Sequence, residues 1–307
     1  MLDPVEQLIE SVKTAKFTED GQQVVYDASS FEKLQACHVL HDYTYRKKLI
    51  PPLKEKSPAI VWGKAWHDIR EAAEYAKING AEPSTILRDS LHVSLSKWGD
   101  ALLKSRDTGR TVATLVRAAV EYSERFANDE YETAIINGVP FIEQRFEVPL
   151  FIPGKRWSGR LDRLVRLKGT DNYYIWECKS TDATLGNYFY LRYNPNHQNP
   201  SYYWALKEVM GINIIGVVMD CVQTAVGFTR FARYPITFVP SQIEEWKEEV
   251  RNEIALADSA WAEGKLRMRR TSCMNYGGCA FREVCGDAQE FRHNALLRVM
   301  NPPEYDD

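Results

Sequence analysis

Long apolar runs are missing from this chain of 307 residues. None approaches the ~20 residues a helix needs to cross a bilayer, so no membrane span is expected. Cysteine is scarce, with six residues, too few for a secreted scaffold held by disulfides. No two cysteines form a CxxC pair, the close spacing that structural zinc sites favour. No GxxxxGK[ST] phosphate loop occurs, so an ATP-driven motor would have to be a separate chain. Charge of one sign is also lacking: 39 Lys and Arg stand against 42 Asp and Glu, a formal net charge of −3. That excludes a uniformly basic nucleic-acid coat and leaves room for a local basic face. The first residues show no basic region followed by an apolar stretch. No export signal is therefore expected, and a cytoplasmic location is. In that reducing setting, clustered cysteines point to metal before disulfide. Internal repeats and low-complexity tracts are absent as well.

What is present is an ordinary globular mixture, 44% hydrophobic and 26% charged, long enough to bury well over half of its unfolded surface. A helix is predicted to open at Ser29, with Glu32 three residues on completing a capping box, and to run through Cys37, His38 and His41 to about Arg46. Pro51 and Pro52 stop it. Helical spacing continues over about Val61–Lys77, Ser84–Lys104 and Thr111–Asn128. Short β-branched and aromatic stretches then follow at Pro140–Phe151, Ser158–Leu167 and Tyr173–Lys179, with Gly169–Asn172 as a hairpin loop between the last two. A helix over Pro200–Met210, strands near Ile214–Val222 and Phe228–Phe238, and a long helix opened by a Ser241/Glu244 capping box complete the series. The acidic last residues are expected to be loose. The class is α/β. The expected division is an N-terminal helical segment (1–60), a helical insertion (61–130), a core (131–264) and a cysteine-bearing tail (265–307).

The sharpest chemical signal is Asp162 followed by Glu177-Cys178-Lys179. In a strand, residues i and i+2 share a face, so Glu177 and Lys179 point one way and Cys178 the other. Pairing across the hairpin would bring Asp162 close to Glu177. Two carboxylates and an ammonium at one point suit metal-assisted phosphodiester hydrolysis: the carboxylates hold Mg²⁺ or Mn²⁺, and the lysine orients water or offsets charge on the phosphate. A surface aspartate beside a Glu–Lys pair would give the same bare pattern.

The neighbours of this trio extend it. Trp157–Leu164 and Tyr174–Ser180 resemble the PD-(D/E)XK nuclease superfamily. Gly63-Lys64-Ala65-Trp66-His67 is similar to the GxxxH motif of its RecB-like branch, and Gln198-Asn199-Pro200-Ser201-Tyr202 to its QxxxY motif. Cys37, Cys273, Cys279 and Cys285 resemble that branch's cluster ligands. The features come in the family's order from about Ser30 to Cys285. The groups most similar are CRISPR-associated RecB-type exonucleases, the AddB-type nuclease domain and phage nucleases.

The resemblance implies a restriction-endonuclease-like mixed sheet core flanked by helices, with a helical insertion and a C-terminal iron–sulfur appendage. It implies that His67, Asp162 and Glu177 bind metal and that Lys179 is the catalytic lysine. Gln198 and Tyr202, on one helical face, would lie beside them, touching the strand or supporting the lysine. The family often places a further acid one strand earlier. Glu143 and Glu147 have the same strand parity, so spacing does not choose between them; Glu147 is the one favoured.

Cys178 and Cys221 fall in apolar strand contexts and read as inert. The other four match the number a [4Fe–4S] cluster needs, which the resemblance favours over zinc. Both gaps in the C-terminal trio are five residues, where relatives often show CxxC, so zinc stays open. Ligation would tie Cys37 to a tail more than 230 positions away, a structural staple.

Two stretches are basic: Lys155, Arg156, Arg160, Arg163 and Arg166 around Asp162, and Lys265, Arg267, Arg269 and Arg270 before the cysteines. Tyr188, Phe189, Tyr190, Arg192 and Tyr193 lie between the lysine and Gln198, where aromatics with a cation can stack unpaired bases. The expected activity is therefore a metal-dependent DNA exonuclease or end-processing enzyme in recombination, repair, phage DNA metabolism or CRISPR spacer acquisition. Its partner is DNA, single-stranded or with free ends, and a separate helicase or recombination protein is a possible second partner. The competing reading is a non-catalytic DNA-binding accessory protein stapled by iron–sulfur or zinc.

Overall fold

The computed structural model describes residues 16–19, 22–49, 57–275 and 278–300. The prolines at 51 and 52 and the acidic tail lie outside them. The chain forms two compact units. Among the described residues one takes in 57–148 and 159–243, and the other 16–49, 149–158 and 244–300.

In the first unit three helices precede the sheet: α1 (Pro58–Ile78), α2 (Pro83–Lys104) and α3 (Val112–Arg125). The Ser57 hydroxyl accepts from the Ile60 amide, and Pro58 takes a first-turn position where no N–H is needed. Thr111 and Thr114 cap α3 reciprocally. The apolar stripe of α1, Val61, Trp62, Ala65, Trp66 and Ile69, packs with Leu115, Ala118, Ala119 and Tyr122 of α3. The two tryptophan rings stack with centroids 5.9 Å apart. Both are fully buried, and at roughly 150–250 Å² each they supply several kcal/mol of the apolar driving force.

The sheet has five strands: β1 (Tyr131–Thr133), β2 (Arg163–Leu167), β3 (Tyr173–Thr181), β4 (Ile214–Thr224) and β5 (Thr229–Ile236), in the order β5-β4-β3-β2-β1. It is mixed. β3 and β4 run parallel and the other neighbours antiparallel. A parallel pair needs a crossover, which carries α4 (Gln198–Trp204) and a wider turn to Val209. This is the mixed sheet with flanking helices that the sequence implies. β4 is buried along almost its whole length, as a central strand must be.

In the second unit, Val25 and Tyr26 pair in parallel with Arg156 and Trp157. The Trp157 ring lies 5.8 Å from Phe31 and 5.5 Å from Trp246. Lys155 is buried, donating to the Gln23 carbonyl at 2.8 Å and pairing with Asp258.

Several boundaries differ from the sequence expectation. The first helix is Ala28–Ala36, and its capping box is Asp27 with Ser30, not Ser29 with Glu32. Asp27 accepts from the Ser30 amide at 2.8 Å and the Ser30 hydroxyl accepts from the Asp27 amide at 3.0 Å. That helix is also not continuous to Arg46: Cys37 is extended, and a new turn starts at His38. The long helix starts at Pro240, before Ser241. Gln242 takes the capping role by accepting from the Val239 amide, and Glu244 pairs with Lys247 instead. The stretch Ser158–Leu167 is two strands, Arg156–Arg160 and Arg163–Leu167, interrupted at Leu161-Asp162.

Candidate active site

Three elements of the first unit converge on Asp162. The first is the hairpin. Arg163 pairs with Trp176 in the antiparallel register, so one step back Asp162 faces Glu177. Its Oδ2 accepts from the Cys178 amide at 2.8 Å. Strand parity holds as expected. Cys178 turns away to pack with Val165, Trp176 and Val218, while Lys179 Nζ forms a short hydrogen bond to Glu177 Oε1.

The second is α1. Gly63, His67, Arg70 and Glu74 follow i, i+4, i+7, i+11 spacing and share one face. A Cβ on Gly63 would come 3.3 Å from the Ser180 hydroxyl, so the glycine lets the helix approach β3. One turn on, His67 Nδ1 lies 3.5 Å from Asp162 Oδ1 and 3.9 Å from Glu143 Oε1. Behind it, Glu74 bonds Arg163 at 2.5 Å, Lys77 at 2.9 Å and Arg70 at 3.2 Å. Burial works against the Glu74 charge, but Arg163, Arg70 and Lys77 outweigh it and hold the carboxyl far below its ordinary range. The sequence reading missed this support. Its signal was present in the polar residues on a helix face that otherwise reads as inward.

The third is α4. Gln198 Nε2 donates to Glu177 Oε1 at 2.9 Å. The Tyr202 hydroxyl donates to the Arg160 carbonyl at 3.1 Å and accepts from the Arg160 amide at 3.3 Å. The same ring lies over Gly159, where an added Cβ would fall 2.5 Å from Tyr202 Cε1 and 2.6 Å from the Phe146 ring.

The carboxylate that the preceding segment brings to Asp162 is that of Glu143. Its carboxylate, His67 and Asp162 offer one ligand atom each within 4.8 Å of one another. Of the two acids left open by the sequence, the structure thus brings Glu143, not the favoured Glu147, to His67 and Asp162. Glu147 is buried in the strand Arg145–Pro149 and stands outside this trio. The reason is local. Glu143 has a left-handed backbone (φ 53°) and precedes that strand, so strand parity does not apply to it. Its amide bonds the Asp162 carbonyl at 3.0 Å, which aims the side chain inward. Arg160 Nε pairs with Glu143 Oε2 at 2.9 Å.

Electrostatics match the crowding. Burial and the neighbouring Glu177 push the Asp162 carboxyl up to about 7. Burial opposes charge on His67, but Asp162 and Glu143 raise it on balance. Burial likewise opposes charge on Lys179, and Glu177 with Asp162 lift it well above an ordinary lysine. Burial and Glu177 raise the Tyr202 hydroxyl. Among the described residues Glu177 Oε2 is buried without a hydrogen-bond partner. An unsatisfied carboxylate oxygen is expensive to bury, and oxygen donors with one imidazole suit a hard divalent cation. The residues therefore fit Mg²⁺ or Mn²⁺.

The second unit gathers the four other cysteines singled out from sequence. Cys37, Cys273, Cys279 and Cys285 line one cavity of about 230 Å³. Cys37 occupies the break between two helices, and the Cys279 amide bonds the Cys273 carbonyl at 2.8 Å. Cys285 sits in the short helix Arg282–Gly286, beside a small core of Phe281, Val284 and Ala295 with Leu40, Tyr43 and Leu49. Cys178 and Cys221 are buried in the sheet, as expected.

A crystal structure from Eubacterium rectale described as a candidate exonuclease is 11% identical. The overlap covers 91% of this chain and 90% of that one, with a TM-score of 0.48. The protein SSO0001 is 15% identical over 82% and 84%, with a TM-score of 0.32. Overlaps this distant carry no argument. No curated protein matches the sequence. The sequence model of the PD-(D/E)XK nuclease superfamily, by contrast, matches residues 28–286. That span holds every side chain named above around Asp162, and the chain belongs to the PD-(D/E)XK nuclease superfamily.

Proposed function

We propose that the protein is a metal-dependent deoxyribonuclease acting on single-stranded DNA or free DNA ends. The carrying observation is Glu177: one oxygen is held by Lys179 and Gln198, while the other, facing Asp162, is buried without a hydrogen-bond partner among the described residues. His67, Glu143, Asp162 and Glu177 would hold Mg²⁺ or Mn²⁺. Such an ion would supply Lewis-acid polarisation of the phosphoryl oxygen and a more acidic water. Lys179, kept charged by its two carboxylate neighbours, orients the attacking water and offsets charge on the phosphate. Gln198 fixes the Glu177 carboxylate. Tyr202 holds the Arg160 main chain, so the half-exposed guanidinium stays at the rim, where it can meet a phosphate.

The four cysteines would hold a [4Fe–4S] cluster as a staple in the second unit. All four thiols line one cavity of about 230 Å³, and four thiolates is the number such a cluster takes.

The test uses protein purified without air, wild type and Lys179→Ala, given linear single- and double-stranded DNA with Mg²⁺, Mn²⁺ or EDTA. Wild type is expected to cut only with metal, and the variant to be slower by about 10²–10³-fold. Equal cutting by both would place the activity elsewhere. Binding without cutting by wild type would favour the accessory reading.

A further inference from the structure

The segment from Asn187 to Tyr193 links β3 to α4, and its residues divide sharply. Phe189 and Tyr190 are 4% and 8% exposed, whereas Tyr188 and Leu191 on either side of them are 80% and 65% exposed. Single exposed apolar residues are common on any surface. Here two flank a rigid anchor. The Tyr190 ring stacks on Tyr234 with centroids 4.3 Å apart and planes 11° from parallel. Phe189 packs on Tyr193 at 5.4 Å, and the Tyr193 carbonyl accepts from the buried Asn199 side chain at 2.8 Å. The protruding pair is thus carried on a fixed base, which lowers the entropy lost on binding.

The position of the segment says what it meets. At its far end the Tyr193 ring lies 5.6 Å from Lys179 Nζ, and Gln198, just beyond, bonds Glu177. A strand whose phosphate reached those side chains would run beside the Tyr193 end of this segment. The Arg192 guanidinium sits 5.9 Å from the Tyr188 ring, supplying a cation for the backbone of the same strand. An exposed aromatic face, an aliphatic neighbour and a cation beside a phosphodiester site are complementary to an unpaired nucleobase.

We propose that Tyr188 and Leu191 form a stacking seat for an unpaired base of the substrate strand next to the candidate active site. The seat makes single-stranded character of the DNA, rather than base sequence, the property that is selected, because every base offers a π-face. The proposal rests on the nuclease reading, so binding is measured apart from cleavage.

The experiment titrates a single-stranded oligodeoxynucleotide carrying 2-aminopurine with the full chain in EDTA, following fluorescence. Wild type is expected to quench the probe on binding. Tyr188→Ala and Leu191→Ala are expected to weaken affinity about 5- to 100-fold and to lose the quench. Tyr188→Phe keeps both. Thermal unfolding should be unchanged in all three, since the side chains are exposed. Wild-type affinity and quenching in Tyr188→Ala would overturn the seat and leave the nuclease standing. Wild type that neither binds nor cuts DNA would overturn the nuclease reading and the seat together. Loss of a protein partner in Tyr188→Ala with DNA binding intact would assign the patch to protein and overturn the seat.

Discussion

Replacing Gly159 with alanine probes how the sheet edge, α4 and the candidate site are locked together. The added Cβ would stand 2.5 Å from Tyr202 Cε1 and 2.6 Å from two atoms of the Phe146 ring, well inside van der Waals contact. Neither ring is free to swing aside: Phe146 is 1% exposed and Tyr202 7%, with the rings edge to face at 5.3 Å. Overpacking of this kind costs about 1–3 kcal/mol. Displacing Tyr202 also removes its two hydrogen bonds to Arg160, each worth about 1 kcal/mol. The expected total is about 3–5 kcal/mol, a melting-temperature drop of roughly 5–10 °C. The assay is a double-mutant cycle by urea and thermal unfolding with Tyr202→Ala, which alone should cost about 3–5 kcal/mol. Because the second substitution removes one of the two clashes, the double variant should lose at least about 1 kcal/mol less than the two losses added. A Gly159→Ala protein within about 0.5 kcal/mol of wild type, or strict additivity, would refute the reasoning.

Glu143→Gln should weaken Mn²⁺ binding by about 10–100-fold in calorimetric titration, while Glu147→Gln stays near wild type; the reverse ranking would return the fourth ligand to the strand. With the Asp162 carboxyl raised to about 7 in the metal-free fold, the native state holds an extra proton between the unfolded value near 4 and that point. Metal-free stability should therefore fall, by about 2–4 kcal/mol, as pH rises through that window, and Asp162→Asn should flatten the fall in urea titrations. His67, also raised, acts in the same direction. Metal affinity should grow with pH across the same range, since binding must displace the proton; affinity independent of pH would contradict this. Cys279→Ser, purified without air, should lose visible absorbance, bound iron and stability together, and a colourless variant of normal stability would exclude the staple.

Local rules reached far into this protein. Parity alone put Glu177 and Lys179 on one face and Cys178 on the other, because side chains in a strand alternate. The hairpin loop at Gly169–Asn172 then brought Asp162 opposite Glu177, since antiparallel register follows once the loop is placed. Helical spacing found α1 to α3 with ends within three residues of those observed. Cap assignment was weaker. Asp27/Ser30 and Ser29/Glu32 both satisfy the i, i+3 pattern, and what separates them is which backbone amide is left bare at the true first turn.

The sequence by itself determined the family, the mixed architecture and most of the convergent side chains, because these rest on short-range periodicity and on motifs of a few residues. Only the tertiary structure brought Glu143 to Asp162, through a left-handed backbone that escapes strand parity. It alone disclosed the Arg70–Glu74–Arg163 group behind the site, where helix and strand meet only after packing. It broke the helix at Cys37, placing that sulfur on the cavity shared with Cys273, Cys279 and Cys285. Each of these depends on contacts between segments far apart in the chain, where side-chain volume and the pairing of buried charge decide and local pattern carries no information.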